Sequence, residues 1–285
     1  MRKVIVITRS FQPGKNEASF DIDAFKKHQQ AFKKILRIKE VLKLIVVTCG
    51  SGELKEIKNS KGILPTMVNL KNAFSKEISS GRLIPHVCTN WGNNAGSATA
   101  LNDGLKIAQK EKAEWIMNWS PEIECDGHLI YEALSHAERY NLFVVGALRQ
   151  SWWERPQWAI PQNTLAIWNM ETLVSINGFS EECNGAGTIS TEKFGKVPLA
   201  GMEDFHAMLR IMKKYPEKFR FGMIRRIVPL RWDTNFKPNS EREIIHLKKV
   251  ARQYLVMQEY AKKIFPDTRF NELMDYNFFA KQFIS

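Results

Sequence analysis

The 285-residue sequence has only four cysteines, Cys49, Cys88, Cys125 and Cys183. They are scattered, with no C-x-x-C pair and no histidine at zinc-finger spacing. This argues for reduced, structural thiols and against a disulfide framework or a zinc module. Long apolar runs are also missing: stretches such as Leu44–Val47 and Phe143–Leu148 fall far short of the roughly 18–20 residues that cross a bilayer. Met1-Arg2-Lys3 is followed by only a short apolar run and no small-residue cleavage site, so Val4–Ile7 reads as a first strand and not a secretion signal, and the expected location is the cytoplasm. After that strand comes Thr8-Arg9-Ser10-Phe11-Gln12-Pro13-Gly14, with neither G-x-G-x-x-G nor G-x-x-x-x-G-K-[ST]. That disfavours dinucleotide-dependent dehydrogenases and P-loop phosphotransferases. Internal repeats and low-complexity tracts are absent.

Composition points to a folded domain: 44% of the residues are hydrophobic and 25% charged, which excludes wholesale disorder, collagen and coiled coil. The net charge of +12 is unevenly spread. Residues 1–60 carry 13 basic and 6 acidic side chains, residues 61–204 carry 12 and 16, and residues 205–265 carry 15 and 5. Basic ends around an acidic middle suit an anionic small ligand, an anionic membrane surface or nucleic acid. Nucleic acid ranks last, because no aromatic-basic recognition motif accompanies the charge.

Val4–Thr8 and Leu44–Thr48 are β-branched runs, read as strands buried on both faces. Between them Ile22, Phe25, Phe32, Ile35 and Leu36 recur at helical spacing, completing a β-α-β unit. Ile84–Cys88, Trp115–Trp119 and Leu142–Leu148 read as further strands, with helices over about 97–112 and 127–140. This alternation predicts an α/β fold with a mostly parallel, Rossmann-like sheet covered on both faces and a ligand site beyond the carboxyl ends of its strands. Residues 180–201 read as a mobile loop, 202–214 as a helix, 219–230 as a strand, and 240–264 and 268–283 as long helices.

The informative features come as an ordered set. Thr48-Cys49-Gly50-Ser51-Gly52-Glu53 follows the second strand; Asn93-Asn94-Ala95-Gly96 leads to Asn102-Asp103-Gly104; the strand 115–119 ends in Ser120-Pro121-Glu122; Asn177-Gly178-Phe179 precedes Gly201-Met202-Glu203-Asp204, which opens a helix. In this order the chain resembles family 2 glycosyltransferases of the GT-A fold over roughly residues 1 to 235. There the second strand ends in D-D-G-S-x-D, a G-x-x-x-x-x-N-x-G helix precedes the metal-binding D-x-D, and a G-G-F or N-G-F turn precedes an E-D pair. Two departures stand out: Thr48-Cys49 replaces the first acidic pair, and Ser120-Pro121-Glu122 keeps only the second carboxylate of D-x-D.

The resemblance implies a GT-A domain over 1–235, with a nucleotide-binding part over about 1–125 and an acceptor part over about 126–235, and a C-terminal helical extension over 236–285. It implies transfer of a sugar from a nucleotide-diphosphate donor to an acceptor hydroxyl, with inversion. Asp204 takes the role of general base and Glu203 that of an orienting or acceptor-binding group. The plainer reading of the pair is an acidic start that stabilises a helix dipole. Arg9, Cys49, Ser51, Asn102, Ser120, Glu122 and Arg231 form the expected donor-binding set. Glu122 is the expected anchor for Mn or Mg, with basic side chains as the alternative way to balance the leaving diphosphate. The expected acceptor is a glycan or lipid-linked molecule. Trp152, Trp153 and Trp158 suit sugar stacking, a hydrophobic lid or a dimer contact. The basic amphipathic pattern at 240–264 suits either an anionic membrane or a helix docked on the domain. The competing reading of the whole chain is a catalytically silent GT-A-like binding or scaffolding protein.

Overall fold

In the computed structural model of the chain, the described residues are 4–10, 22–49, 65–88, 98–121, 123, 127–147, 162–183, 188–191, 195–199, 201–216, 220–224, 255–267 and 281–284. Strands β1 (Val4–Ser10), β2 (Val41–Cys49), β3 (Leu83–Cys88) and β4 (Trp115–Trp119) are the central apolar runs of the sequence. β5 (Val144–Ala147), β6 (Gln162–Asn169), β9 (Phe221–Ile224) and β10 (Lys281–Ile284) complete an eight-stranded sheet in the order β10-β9-β5-β6-β4-β1-β2-β3. β6 lies antiparallel to β4 and β5, and all other pairings are parallel.

Alternation along the strands sorts the side chains into two cores. Ile5, Ile7, Ile45, Val47, Ile116 and Trp168 face one side; Val4, Val6, Leu44, Val46, Met117 and Ile167 face the other. The second face is covered by α1 (Ile22–Arg37), α2 (Pro65–Ala73) and α5 (Gly127–Arg139), whose apolar stripes deliver Phe25, Phe32, Ile35, Leu70, Ile130 and Leu134. In α1, Asp23 sits in the first turn and Lys34 and Arg37 in the last, matching the helix dipole. A short helix, α3 (Ser75–Ser79), leads into β3. The first face is covered by α4 (Ala98–Lys110), α6 (Met170–Ser175), α7 (Glu203–Lys214) and a helix over residues 255–264, α8.

Two expectations change, and over residues 255–264 the packing fits the docked-helix reading of the basic amphipathic pattern. The segment 180–201 contains a 3-10 turn (Glu181–Cys183) and a hairpin of β7 (Thr188–Thr191) and β8 (Gly195–Pro198), whose backbone groups pair with each other. The helical pattern read over 268–283 ends in a strand, since residues 281–284 pair in parallel with β9 and extend the main sheet. The apolar side of α8 is spent inside the domain: Val256, Met257, Tyr260 and Ala261 are buried in the first core, with Lys262 and Lys263 exposed.

Candidate active site

At the carboxyl end of β1 the alternation that buries Ile5 and Ile7 also turns Arg9 onto the face of α4 and α7. There its Nη1 lies 3.7 Å from Oε1 of Glu203, with the two side chains 20% and 5% exposed. That separation is an ion pair without a hydrogen bond. Arg9 Nη1 and Glu203 Oε2 are buried and have no hydrogen-bond partner among the described residues. Buried charged groups are normally both paired and hydrogen-bonded. Here a donor and an acceptor stand side by side with bonding capacity to spare, at the carboxyl end of the strands where α/β folds place ligands.

Glu203 and Asp204 open α7, whose N-cap Met202 provides no side-chain cap, so the acidic pair meets the positive end of the helix. Asp204 is 5% exposed, and its Oδ1 accepts a 2.7 Å bond from the Phe205 amide. The carboxylate is therefore held inside the protein and does not project into solvent.

The turn Asn177-Gly178-Phe179 is tied down from two sides. Asn102, on α4, donates from Nδ2 to the Phe179 carbonyl at 2.7 Å and accepts from the Phe179 amide at 2.8 Å. Its carboxamide is thus engaged by this turn. Asn177 and Gly178 have φ of 59° and 71°, and a Cβ on Gly178 would meet Asn102 Oδ1 at 2.5 Å, so only glycine fits there. From the other side Arg210, on α7, donates to the carbonyls of Ile176 and Gly178. Phe179 is buried edge-on against Trp168. The neighbours of Asn102 also serve packing. Asp103 faces His86 Nε2 at 3.3 Å, and Gly104 lets α4 approach so close that a Cβ would stand 2.5 Å from Ile7 Cγ2.

Of the other expected residues, Ser120 is half-buried after β4, in a turn closed by the Ile123 amide on the Ser120 carbonyl at 3.0 Å and by Trp119 Nε1 on the Ile123 carbonyl at 2.9 Å. Cys49 is the last residue of β2, level with Cys88. Ser51, Glu122 and Arg231 lie outside the described residues, as do Trp152, Trp153 and Trp158. Among the described residues no three His, Cys, Asp or Glu side chains converge as a metal cage.

Sequence reading missed a second polar cluster beneath α7. His206 Nε2 lies 2.6 Å from the Tyr260 hydroxyl, which donates to Glu182 Oε2 at 3.1 Å. His206 Nδ1 lies 3.9 Å from the sulfur of Cys183. Burial, reinforced by the charge of Arg210, pushes the imidazole down to about 4, so it is neutral near pH 7. Burial pushes the Cys183 thiol and the Tyr260 hydroxyl well above their ordinary ranges. Lys263 holds the Glu182 carboxyl below its usual range. His206 and Tyr260 are 54 positions apart, so no local pattern connects them.

No protein-family model matches the chain, and no curated protein does. Solved structures match. The mannosyltransferase PcManGT from Pyrobaculum calidifontis, in complex with GDP-Man and Mn2+, aligns over 97% of this chain and 69% of its own with a TM-score of 0.58 at 14% identity. A 4-diphosphocytidyl-2C-methyl-D-erythritol synthase from Anaerococcus prevotii aligns over 88% and 96% with a TM-score of 0.46 at 12% identity. TarS of S. aureus aligns over 75% and 66% with a TM-score of 0.44 at 14% identity. The likeness to the mannosyltransferase establishes the fold as GT-A-like: a mostly parallel α/β sheet with helices on both faces.

Proposed function

We propose that the chain is a glycosyltransferase that moves a sugar from a nucleoside-diphosphate donor to an acceptor hydroxyl. The observation that carries this reading is the ion pair of half-buried Arg9 with buried Glu203, with its spare donor and acceptor, immediately beside the buried Asp204. A guanidinium suits the oxygens of a diphosphate, and a carboxylate oxygen accepts from a sugar hydroxyl. The fold shared with a mannosyltransferase bound to GDP-Man and Mn2+ supports the same class of donor, and a divalent ion with it.

In the reaction the acceptor oxygen attacks the anomeric carbon as its proton passes to the Asp204 carboxylate. The bond from the anomeric carbon to the diphosphate oxygen breaks on the opposite face, giving inversion. Arg9 balances charge on the departing diphosphate, and Glu203 orients a sugar hydroxyl. The bond from the Phe205 amide keeps the Asp204 carboxylate in one orientation.

The test has two parts. A thermal-shift panel of UDP, GDP, CMP and dTDP sugars, with and without manganese, identifies the donor; Asp204→Asn then abolishes release of the nucleoside diphosphate while nucleotide binding persists. Retained turnover in that variant removes Asp204 as base, and no stabilisation by any nucleotide removes the reading. One observation favours a silent binding protein instead. Thr48, where the family places an acidic residue, is buried with its hydroxyl on the His86 carbonyl at 3.3 Å. Nucleotide binding without turnover in the wild type is the result that reading requires.

A further inference from the structure

The cluster beneath α7 forms a continuous chain of groups in which each hydrogen bond fixes the next. Lys263 Nζ and the Tyr260 hydroxyl both donate to Glu182 Oε2 at 3.1 Å, which spends the single phenolic proton. The Tyr260 oxygen is then an acceptor, so the 2.6 Å contact must be filled by an N–H on His206 Nε2. Nδ1 of the neutral ring is left to accept from the Cys183 thiol. The ring of Tyr260 meets the imidazole edge-on, with centroids 4.4 Å apart. Cys183, His206 and Tyr260 are buried, while Glu182 and Lys263 close the chain at the surface.

His206 belongs to the first turn of α7, where its amide makes a helical bond to Met202. It lies three residues from Glu203 and four from Arg210, so the three side chains form one stripe along the helix. Arg210 anchors that stripe to the turn at 176–178, and His206 anchors it to α8 and the 3-10 turn. Phe205, Met208, Leu209 and Ile211 pack into the first core, and Lys213 and Lys214 donate to the carbonyls of Ile264 and Ser175 further along the helix, so the His206 contact sets the fine rotation of its first turn, next to Glu203 and Asp204. The N-terminus has no side-chain cap to hold that turn.

We infer that Tyr260 is a positioning residue for the Glu203 and Asp204 carboxylates, acting through His206. The inference rests on the proposed glycosyl transfer for its kinetic consequence and on the structure alone for its geometric one. Tyr260→Phe removes one hydroxyl and keeps the ring. In that variant kcat with the nucleotide sugar found by the panel falls roughly tenfold or more, as small misplacements of reacting groups do, while the donor KM stays within about twofold. The backbone amide resonances of Glu203 and Asp204 and the ring nitrogens of His206 shift in the free protein. An unchanged kcat in an active enzyme, or amide resonances at 203 and 204 that stay in place, overturns the inference. If the wild type turns over no nucleotide sugar, glycosyl transfer fails on its own, and the amide resonances alone decide. Should Tyr260→Phe not fold, Glu182→Ala empties the far end of the chain at an exposed position and is expected to move the same resonances; no movement there also overturns the inference.

Discussion

Arg9 and Glu203 raise a question of charge that substitution can answer. Removing one partner of a buried ion pair strands the other, which costs more than the pair itself contributes. Arg9→Gln is therefore expected to lower the melting temperature and to weaken nucleoside-diphosphate binding roughly tenfold or more, the scale of one charge-assisted hydrogen bond. Adding Glu203→Gln should restore much of the stability and none of the affinity; calorimetric titration beside thermal melts separates the two, and recovered affinity would deny Arg9 its role at the diphosphate. His206 gives a second test. Its ordinary value of 6.5 falls to about 4 in the folded protein, so the unfolded chain takes up the proton first on acidification. The stability from keeping it neutral is full above pH 6.5 and drains away as pH falls toward 4, by roughly 3 kcal/mol at about 1.4 kcal/mol per pH unit. The groups that face the ring, Arg210, Glu182, Lys263, Cys183 and Tyr260, remain in His206→Gln. That variant should show a shallower decline in melting temperature between pH 6.5 and 4 than the wild type, and an identical decline would exclude His206 as its source.

Among the elements, the turn at 177–179 is the joint that couples α4, β6 and α7. Gly178→Ala introduces a Cβ against Asn102 Oδ1 in a backbone conformation that disfavours it, and is expected to cost about 1–3 kcal/mol. Asn102→Ala clears the clash but forfeits both bonds to Phe179, so the double variant should lose less stability than the sum of the singles in denaturant titrations. Strict additivity would show that the two residues act apart. This joint was half legible in advance. Asn177-Gly178-Phe179 announces a turn by its residue types, and the helical periods of α1, α4 and α5 were readable because each buries one stripe, whereas α7 is buried on nearly every side. β6 was not, since Gln-Asn-Thr opens it with polar residues and its antiparallel course between two parallel neighbours follows from no local pattern. The hairpin β7–β8 escaped because four-residue strands rich in small polar groups carry little periodicity. At the site, Glu203 and Asp204 were visible as an acidic pair opening a helix. Their partners Arg9 and, through His206, Tyr260 come from the far ends of the chain, and only the fold brings them within reach.

For the molecule as a whole, the decisive matter is whether the chain beyond residue 235 is an appendage or part of the domain. α8 places Val256, Met257 and Tyr260 in the same core as Ile5 and Ile7. At roughly 1.5–3 kcal/mol for each large apolar side chain buried, the loss of these three comes to about 4.5–9 kcal/mol. The whole stability of a domain is typically only about 5–15 kcal/mol. A chain ending at residue 252 is therefore expected to be unfolded or molten at 25 °C, with a broad circular-dichroism melt. A chain ending at residue 267 keeps α8 and, among the described residues, loses only β10. That leaves the Phe221–Ile224 strand as a free edge, so the shortened protein should fold, melt somewhat lower and associate with itself in size-exclusion chromatography. A cooperative, unshifted melt for the chain ending at 252 would make the segment a true extension, and the positioning of α7 by Tyr260 would fall with the domain it was thought to complete.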